Sequence, residues 1–314
     1  MPQKLISLVV PVFNEEEMVT LFLERAQAVC SQLEGYRFQY LFVDDGSTDN
    51  TLALLLDLQR TNPNIRIVEL SRNFGKEAAL SAGLDFSDGN AAIPIDVDLQ
   101  DPPELIPQLI REWENGYEVV LACRSDRQSD DWRKRITAAI FYRLHNFIGK
   151  PTIPANCGDF RLLDRVVVEA LRQLPENQRF MKGLFAWVGF RTTTVLYTRE
   201  KRQAGSSKFN GWRLFDFAIQ GITSFSTAPL RAALIVGVLT TFLALIYAAF
   251  IIFYVLFRGI DSPGYASIMT VVLFLGGLQL TGIGFLGEYL GRNYFESKRR
   301  PPYIVRKTHD TENE

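Results

Sequence analysis

The stretch Ala91–Pro103, AAIPIDVDLQDPP, decides how the first half of the chain is interpreted. Its apolar beginning predicts a buried strand, and two carboxylates, Asp96 and Asp98, follow at the end of that strand. Alternate residues of a strand point to the same side, so these carboxylates are expected to converge beyond the strand end. Carboxylate oxygens suit Mg²⁺ or Mn²⁺, which shares its coordination shell with phosphates. The alternative is a solvated acidic turn in which Asp101 caps the next helix.

Short β-branched runs alternate with helical stretches on both sides of this segment. The predicted strands are Leu5–Val12, Phe38–Val43, Ile65–Leu70, Ala91–Ile95 and Glu118–Ala122. The predicted helices are Glu15–Leu33, Asp49–Arg60, Lys76–Phe86 and Pro103–Asn115. This order predicts βαβ units and therefore an α/β fold with a mostly parallel sheet. Ligands of such sheets bind beyond the carboxyl ends of the strands, which is where the polar residues of this chain cluster.

A second acidic pair, Asp44 and Asp45, closes the second predicted strand. Acidic side chains at this place commonly hold ribose hydroxyls or base N–H groups. A turn in which Ser47 or Asp49 caps the following helix is the alternative, and it accounts for the residues after the pair. It does not account for two adjacent carboxylates at a strand end, so the pair is a candidate nucleoside-binding site.

Two basic segments and one further acidic residue complete the candidate chemistry. Ser71–Lys76 (SRNFGK) follows the third strand, and Arg202–Lys208 (RQAGSSK) lies later in the chain. Arginine and lysine suit a diphosphate, whereas ordinary surface charge is the alternative. Asp159 and Arg161 form a polar interruption before an apolar stretch. Their spacing alone favours a turn and assigns Asp159 no role.

The last third of the chain predicts a membrane attachment. Leu234–Phe257 holds 24 residues without a charge and Ile268–Leu286 holds 19 more, which predicts two transmembrane helices. The basic flanks place both termini in the cytoplasm by the positive-inside rule, and the amphipathic stretch Gly211–Phe225 suits the membrane interface. Glycines that recur every seven residues at Gly277, Gly284 and Gly291 favour close helix packing, and so a homo-oligomer.

Composition excludes several classes of protein. The 314 residues include 34 Lys and Arg against 35 Asp and Glu, which argues against a nucleic-acid partner. Three cysteines, Cys30, Cys123 and Cys157, are far apart and odd in number. No disulfide framework follows from them, which suits a reducing compartment.

Six motifs in order resemble glycosyltransferase family 2, and more narrowly the polyprenyl-phosphate hexosyltransferases, which include dolichyl-phosphate mannose synthases and bacterial bactoprenol glucosyltransferases. They are VPVFNEEE, VDDGSTD, SRNFGKEAALSAG, IDVDLQDPPE, CGDFRLLDR and RQAGSSKF. The resemblance implies a GT-A fold (a Rossmann-like glycosyltransferase fold) and an inverting transfer of a hexose to a polyisoprenyl phosphate at the cytoplasmic face of the inner membrane. The expected donor is UDP-glucose, with Mg²⁺ or Mn²⁺ as cofactor. A different donor sugar and a non-catalytic nucleotide-binding scaffold are the alternatives.

The resemblance also implies roles for single residues. The residues expected to bind the nucleotide sugar, with Asp45 added from the strand-end argument, are Pro11, Val12, Glu15, Asp44, Asp45, Asp96, Val97, Asp98, Arg202 and Lys208. Asp98 and Gln100 are the expected metal ligands, and Asp96, Asp98 and Asp159 the expected catalytic residues. Asp159 matches the family's proposed catalytic base. A phosphate acceptor is largely ionised at pH 7, however, so Asp159 is expected to act either as a base or as an orienting group.

The predicted organisation has four parts. Residues 1–210 form the cytoplasmic GT-A domain, and residues 211–230 form an interfacial amphipathic helix. Residues 231–292 form a two-helix transmembrane domain, and residues 293–314 form a cytoplasmic basic tail.

Overall fold

The computed structural model describes residues 3–125, 157–177, 179–198, 227–258 and 264–310. Its strands are β1 (Lys4–Val12), β2 (Tyr36–Asp44), β3 (Ile65–Leu70), β4 (Ala91–Pro94), β5 (Val119–Arg124), β6 (Cys157–Asp164), β7 (Thr192–Tyr197) and β8 (Val305–His309). Its helices are α1 (Val19–Cys30), α2 (Thr51–Thr61), α3 (Lys76–Phe86), α4 (Ile106–Glu114), α5 (Arg165–Arg172), α6 (Met181–Trp187), α7 (Ala228–Arg258) and α8 (Tyr265–Ser297). A 3₁₀ turn, Pro103–Leu105, leads into α4.

All these strands join one sheet in the order β7-β5-β6-β4-β1-β2-β3-β8. The central strands β4, β1, β2 and β3 are parallel, as the alternating pattern predicts. The flanks differ, because β6 runs antiparallel between β4 and β5, and β8 runs antiparallel along β3. The predicted α/β fold is confirmed, and the sheet is mixed rather than uniformly parallel.

The local pattern predicted most element positions well. The bounds of β3 and α3 agree with the prediction at both ends. Helix α1 begins later than predicted, at Val19 instead of Glu15, because the backbone carbonyl of Glu15 accepts the amides of Met18 and Val19 in a turn. The prediction that Asp159 is a turn residue is wrong, since it belongs to strand β6 together with Arg161.

Apolar residues cover both faces of the sheet. One layer contains Phe22, Phe42 and Phe160. The layer on the other face packs α3, α5 and α6 against the strands. Helix α3 approaches β1 closely at Gly83, where an added Cβ would lie 2.2 Å from a methyl carbon of Val9. This close packing holds α3 against β1.

The chain beyond α8 returns to the sheet. The carbonyl of Ile304 accepts the amide of Ser71 at 2.9 Å, and the Tyr303 hydroxyl donates to Asp85 at 2.7 Å. The Glu296 carboxylate, near the end of α8, accepts the backbone amide of Asn177 at 3.0 Å. The described part of the predicted basic tail therefore packs against the α/β domain.

The cysteines differ from the expectation of no disulfide, and they therefore do not support a reducing compartment. Strands β5 and β6 place Cys123 opposite Cys157, and the two residues form a disulfide bond. Their sequence separation of 34 residues gave no indication of this pairing, because it depends on the insertion of β6 beside β5. Cys30 is a buried free thiol.

The two long helices α7 and α8 contain the two predicted membrane spans. By length and composition, one stretch of the described chain is apolar enough to cross a membrane, Leu230–Tyr247 in α7, and none of it is buried. The described residues of α8 do not meet the same standard. Two transmembrane helices are thus not confirmed.

Candidate functional site

The sheet brings the ends of three neighbouring strands together. Strand β1 lies between β4 and β2, and its last residues, Pro11 and Val12, pair in register with Val43 and Asp44. The Asp44 carboxylate is buried and accepts the backbone amide of Ser47. Burial raises the pKa of Asp44, and the hydrogen bonds from Ser47 oppose that shift. This carboxylate lies at the strand edge where the sequence predicts nucleoside binding.

The loop after β1 is held against the loop after β2. The Asn14 side chain accepts the amide of Thr48 at 2.8 Å, and Asn14 itself has a left-handed backbone with φ 53°. The backbone amide of Glu15 donates to the Thr51 hydroxyl at 2.9 Å. These bonds fix the backbone at Glu15, one of the predicted nucleotide-binding residues, beside the first turn of α2.

Asp45 differs from its neighbour in what its carboxylate contacts. Both of its oxygens accept backbone amides of the next loop, from Phe74 at 2.7 Å and from Gly75 at 2.8 Å. Burial raises the pKa of Asp45, and these two amides oppose the shift. Gly46 has φ +69°, and an added Cβ there would lie 2.5 Å from the backbone of Arg72. Asp45 thus holds the loop that leads to Lys76.

The acidic segment after β4 forms a tight turn. Val97 and Asp98 are buried, and the Asp98 carboxylate accepts the amide of Gln100 at 3.2 Å. Leu99 has a left-handed backbone with φ 56°, which is uncommon for leucine and is typical of functional turns. Asp98 and Gln100, the predicted metal ligands, lie at the two ends of this turn.

Asp101 anchors the same turn to the outer part of the sheet. The buried Tyr197 hydroxyl at the end of β7 donates to the buried Asp101 carboxylate. Burial and the nearby Asp101 charge raise the pKa of Tyr197. The 3₁₀ turn that follows begins at Pro103 and has Pro102 at its N-cap position, so Asp101 does not occupy the capping position that the alternative interpretation gave it.

Strand β6 brings Asp159 to the same edge. It is antiparallel to β4, with Ala91 opposite Asp164 and Ala92 opposite Leu163, so its first residues lie beside the last residues of β4. Asp159 is a predicted catalytic residue, and its Oδ1 is buried without a hydrogen-bond partner in the described part of the chain. Antiparallel insertion is the reason that a residue far along the sequence reaches the turn containing Asp96.

Lys76 joins the two acidic elements. Its Nζ lies 2.6 Å from Oδ1 of Asp96 and 3.0 Å from Oδ2 of Asp159. Burial would lower the pKa of Lys76, but the two carboxylates raise it above its usual value. The sequence predicts a basic segment that contains Lys76, and this bridge was not predicted. Its place at the start of a helix after a parallel strand was the available signal.

Further charges surround Asp159. Burial would raise its pKa, but the positive charges of Lys76, Lys182 and Arg161 hold it below its usual range. The guanidinium of Arg161 donates to the carbonyl of Gly158 at 2.6 Å and lies over the Phe185 ring. Asp159 is therefore an ionised group in a cationic environment.

The acidic turn contains side chains of the types that bind a hard divalent cation. Within the described ranges, no group of three His, Cys, Asp or Glu side chains is placed to hold a metal ion. Asp98 and Gln100 supply a carboxylate and an amide oxygen on one turn, which suits a cation that takes its other ligands from phosphates and water. Arg202 and Lys208 lie outside the described residues.

Comparison with known proteins identifies the family. The profile of "Glycosyl transferase family 2" matches residues 7–172. An uncharacterised glycosyltransferase of Synechocystis is 51% identical over 96% of this chain and 94% of its own length. The SfII prophage-derived bactoprenol glucosyl transferase of Shigella flexneri is 50% identical over 97% of this chain and 98% of its own length.

A solved structure shares the fold at low sequence identity. It is glucosyl-3-phosphoglycerate synthase from Mycobacterium tuberculosis, crystallised with Mn²⁺, UDP and phosphoglyceric acid. The likeness has a TM-score of 0.52 at 18% identity and covers 70% of this chain and 76% of that one. This likeness shows a shared fold, and the family match and the near full-length relatives show the family. The chain belongs to glycosyltransferase family 2.

Proposed function

We propose that this protein transfers glucose from UDP-glucose to the phosphate of a polyisoprenyl lipid, with inversion at the anomeric carbon. The observation that carries the proposal is the near full-length similarity to a bactoprenol glucosyl transferase. The site supports it because three features lie at the same edge of the sheet. They are the strand end with Asp44, which is expected to bind the nucleoside, the turn with Asp98 and Gln100, which is expected to bind a divalent cation, and the ionised carboxylate of Asp159. The product is a lipid-linked glucose for use by other membrane glycosyltransferases.

The donor side of the site consists of the ends of β1, β2 and β4. Pro11, Val12, Glu15 and Asp44 are assigned to the nucleoside, and Asp96 and Val97 to the diphosphate. Asp98 and Gln100 would hold Mg²⁺ or Mn²⁺, which neutralises charge on the departing diphosphate when it is bound. Arg202 and Lys208 are assigned to the same phosphates from their motif alone.

The acceptor side contains Asp159. The attacking group is a phosphate monoester that is largely ionised at pH 7, so the reaction does not require a proton to be removed from it. A carboxylate whose pKa is held low by neighbouring cations is also a weak proton acceptor. We therefore assign Asp159 an orienting role, in which it positions the cations that face the acceptor.

The membrane segments are proposed to hold the site at the surface of the bilayer. A lipid-linked phosphate lies at the height of the headgroups, so the site must be held against the bilayer. The apolar stretch of α7 is proposed as a membrane anchor, together with α8 and the interfacial segment 211–230. The α/β domain and both termini are proposed to be cytoplasmic, and α8 is proposed to contribute to a homo-oligomer through its glycines.

The test uses the full-length protein purified in detergent with undecaprenyl phosphate, Mg²⁺ or Mn²⁺, and a panel of radiolabelled nucleotide sugars. Label that enters the organic phase from UDP-glucose in a metal-dependent manner is the expected result. Transfer from another donor would keep the reaction and correct the sugar. Absence of transfer from every donor, with UDP binding intact, would favour the non-catalytic scaffold. Asp98→Asn is the matched loss-of-function variant.

A further inference from the structure

Lys76 occupies an unusual place between the two sides of the site. It is the first residue of α3, and its side chain is 48% exposed as a whole. The same group contacts Asp96, on the proposed donor side, and Asp159, on the proposed acceptor side. The ammonium thus lies at the boundary between the two substrates' proposed positions.

The ammonium group can take up another ligand by giving up one of its present contacts. A lysine has three N–H donors, and three carboxylate oxygens of the described chain lie close to them: both oxygens of Asp96, at 2.6 and 2.7 Å, and Oδ2 of Asp159, at 3.0 Å. The two Asp96 oxygens belong to one carboxylate, so a shift of Asp96 to a single contact frees one N–H for an anion. Asp159 does not depend on Lys76 alone, because Lys182 and Arg161 also compensate its charge. Lys76 can therefore bind an anion without leaving Asp159 as an isolated buried charge.

The charge balance of the reaction explains why a cation is useful at this position. An oxygen of the acceptor phosphate forms a bond to the anomeric carbon, and the bond from that carbon to the β-phosphate oxygen of UDP breaks. The electron pair of the broken bond leaves with UDP. UDP-glucose and the phosphate monoester each begin with two negative charges, whereas the product phosphodiester carries one and UDP carries three. One negative charge therefore passes from the acceptor side to the donor side.

We infer that Lys76 is a catalytic residue whose ammonium group binds the acceptor phosphate and remains beside the charge as it moves to the diphosphate. A cation at this boundary lies closest to the moving charge when that charge is divided between the acceptor phosphate and the diphosphate, so it favours the transition state over the reactants. It also offsets the repulsion between two anionic substrates that have to approach each other. Asp96 and Asp159 hold the flexible side chain in place. This inference rests on the proposed function.

The test compares Lys76→Met and Lys76→Arg with Lys4→Met in the full-length protein. Lys4 is a matched control, since its ammonium pairs with Glu114 at 2.7 Å on a partly exposed surface. Thermal unfolding confirms that each variant is folded. Calorimetry measures the affinity for UDP with Mn²⁺ and, separately, for geranyl phosphate as a soluble isoprenyl phosphate. Transfer kinetics with undecaprenyl phosphate give kcat and KM.

We expect Lys76→Met to lower kcat by about a hundredfold or more. We also expect this variant to lose affinity for geranyl phosphate while its UDP affinity stays near wild type. Lys76→Arg should recover part of both lost properties, and Lys4→Met should match wild type. Normal turnover in Lys76→Met would overturn the inference, as would a loss confined to UDP affinity.

If the wild-type protein transfers no sugar, the proposed function fails, but the inference is still decided by geranyl phosphate. Binding to wild type and not to Lys76→Met would support Lys76 as the phosphate-binding group. Equal binding to both proteins, or binding to neither, would overturn it.

Discussion

The Asp45 carboxylate accepts the backbone amide of Gly75 at 2.8 Å and so connects the end of β2 to the start of α3. Gly75 has φ +99°, and Lys76 follows it directly as the first residue of the helix. The position of the Lys76 ammonium therefore depends on a carboxylate that belongs to a different loop. Asp45 acts through this contact on the part of the site that faces Asp96 and Asp159.

Replacing Asp45 with asparagine should destabilise the protein and lower its activity. The two backbone N–H groups donate to separate oxygens of Asp45, and asparagine replaces one of these oxygens with an NH₂ group, so one partly buried donor loses its partner at a cost of about 1 kcal/mol. The measurements are thermal unfolding of the detergent-solubilised protein and kcat for sugar transfer. Asp57→Asn is the control, because Asp57 pairs with Arg60 on the exposed face of α2. Wild-type stability in Asp45→Asn would show that the loop does not depend on this carboxylate.

Removing one hydroxyl at Tyr197 should weaken metal binding. Tyr197→Phe deletes the hydrogen bond to Asp101, which anchors the turn that contains Asp98 and Gln100. Looser anchoring should reduce the affinity for Mn²⁺ in the presence of UDP by about tenfold, as expected when a supporting contact of a ligand turn is lost. Electron paramagnetic resonance of free Mn²⁺ measures this affinity without a turnover assay.

The control for this prediction is Tyr117→Phe. The ring of Tyr117 lies under the Arg191 guanidinium, and this contact does not need the hydroxyl. Both variants keep an aromatic ring, so a difference between them reports on the hydroxyl alone. An unchanged Mn²⁺ affinity in Tyr197→Phe would mean that the turn is held by its own backbone.

The central part of this fold could be predicted because its signals are local. Strand β3 and helix α3 are continuous apolar or amphipathic segments, and both have the predicted bounds. Strands β6 and β8 were missed for a physical reason. Asp159 and Arg161 interrupt the apolar pattern of β6, and β8 is a short charged segment that pairs at the edge of the sheet. Their places depend on long-range pairing, which no local pattern specifies.

The candidate site likewise contains residues that local sequence signals predict and contacts that they do not. Residues at the ends of parallel strands, such as Asp44 and Asp96, could be found from strand order and strand ends alone. The bridge from Lys76 to Asp159 could not, because it requires β6 to lie beside β4 in the antiparallel direction. The different contacts of Asp44 and Asp45 could not be predicted either. Adjacent carboxylates look equivalent in the sequence, and only the geometry of the loops distinguishes them.

Deleting β8 should destabilise the α/β domain although the deletion leaves both long helices intact. A chain that ends at Arg300 loses the pairing with β3, the Tyr303–Asp85 hydrogen bond and the pairing of buried Glu69 with Arg306. The exposed edge of β3 is then free to pair with other chains. We expect a lower unfolding temperature, by about 5 °C or more, and aggregation in size-exclusion chromatography.

A chain that ends at Asp310 is the matched control for this deletion, since it keeps all of β8. It should behave as wild type in both measurements. A monodisperse protein of normal stability after the longer deletion would show that β8 contributes little to the domain.

Glu77 should make stability depend on pH near neutrality. Its carboxylate accepts the amide of Met181 at 3.1 Å, and burial, reinforced by the Asp159 charge, raises its pKa from 4.5 to about 7. A raised pKa means that the folded protein binds this proton more tightly than the unfolded chain. The stabilisation is therefore complete below about pH 4.5 and is lost as the pH rises through about 7. The expected loss is on the order of 2 kcal/mol.

Thermal unfolding of the full-length protein between pH 5 and pH 8 measures this effect by comparing wild type with Glu77→Gln. The glutamine variant cannot ionise at this position, so its unfolding temperature should fall less over the same range. Glu34→Gln, at an exposed site, should follow the wild-type curve. Parallel curves for wild type and Glu77→Gln would mean that Glu77 is ionised throughout this range. The Met181 amide would then stabilise the ionised carboxylate more strongly than burial and the Asp159 charge oppose it.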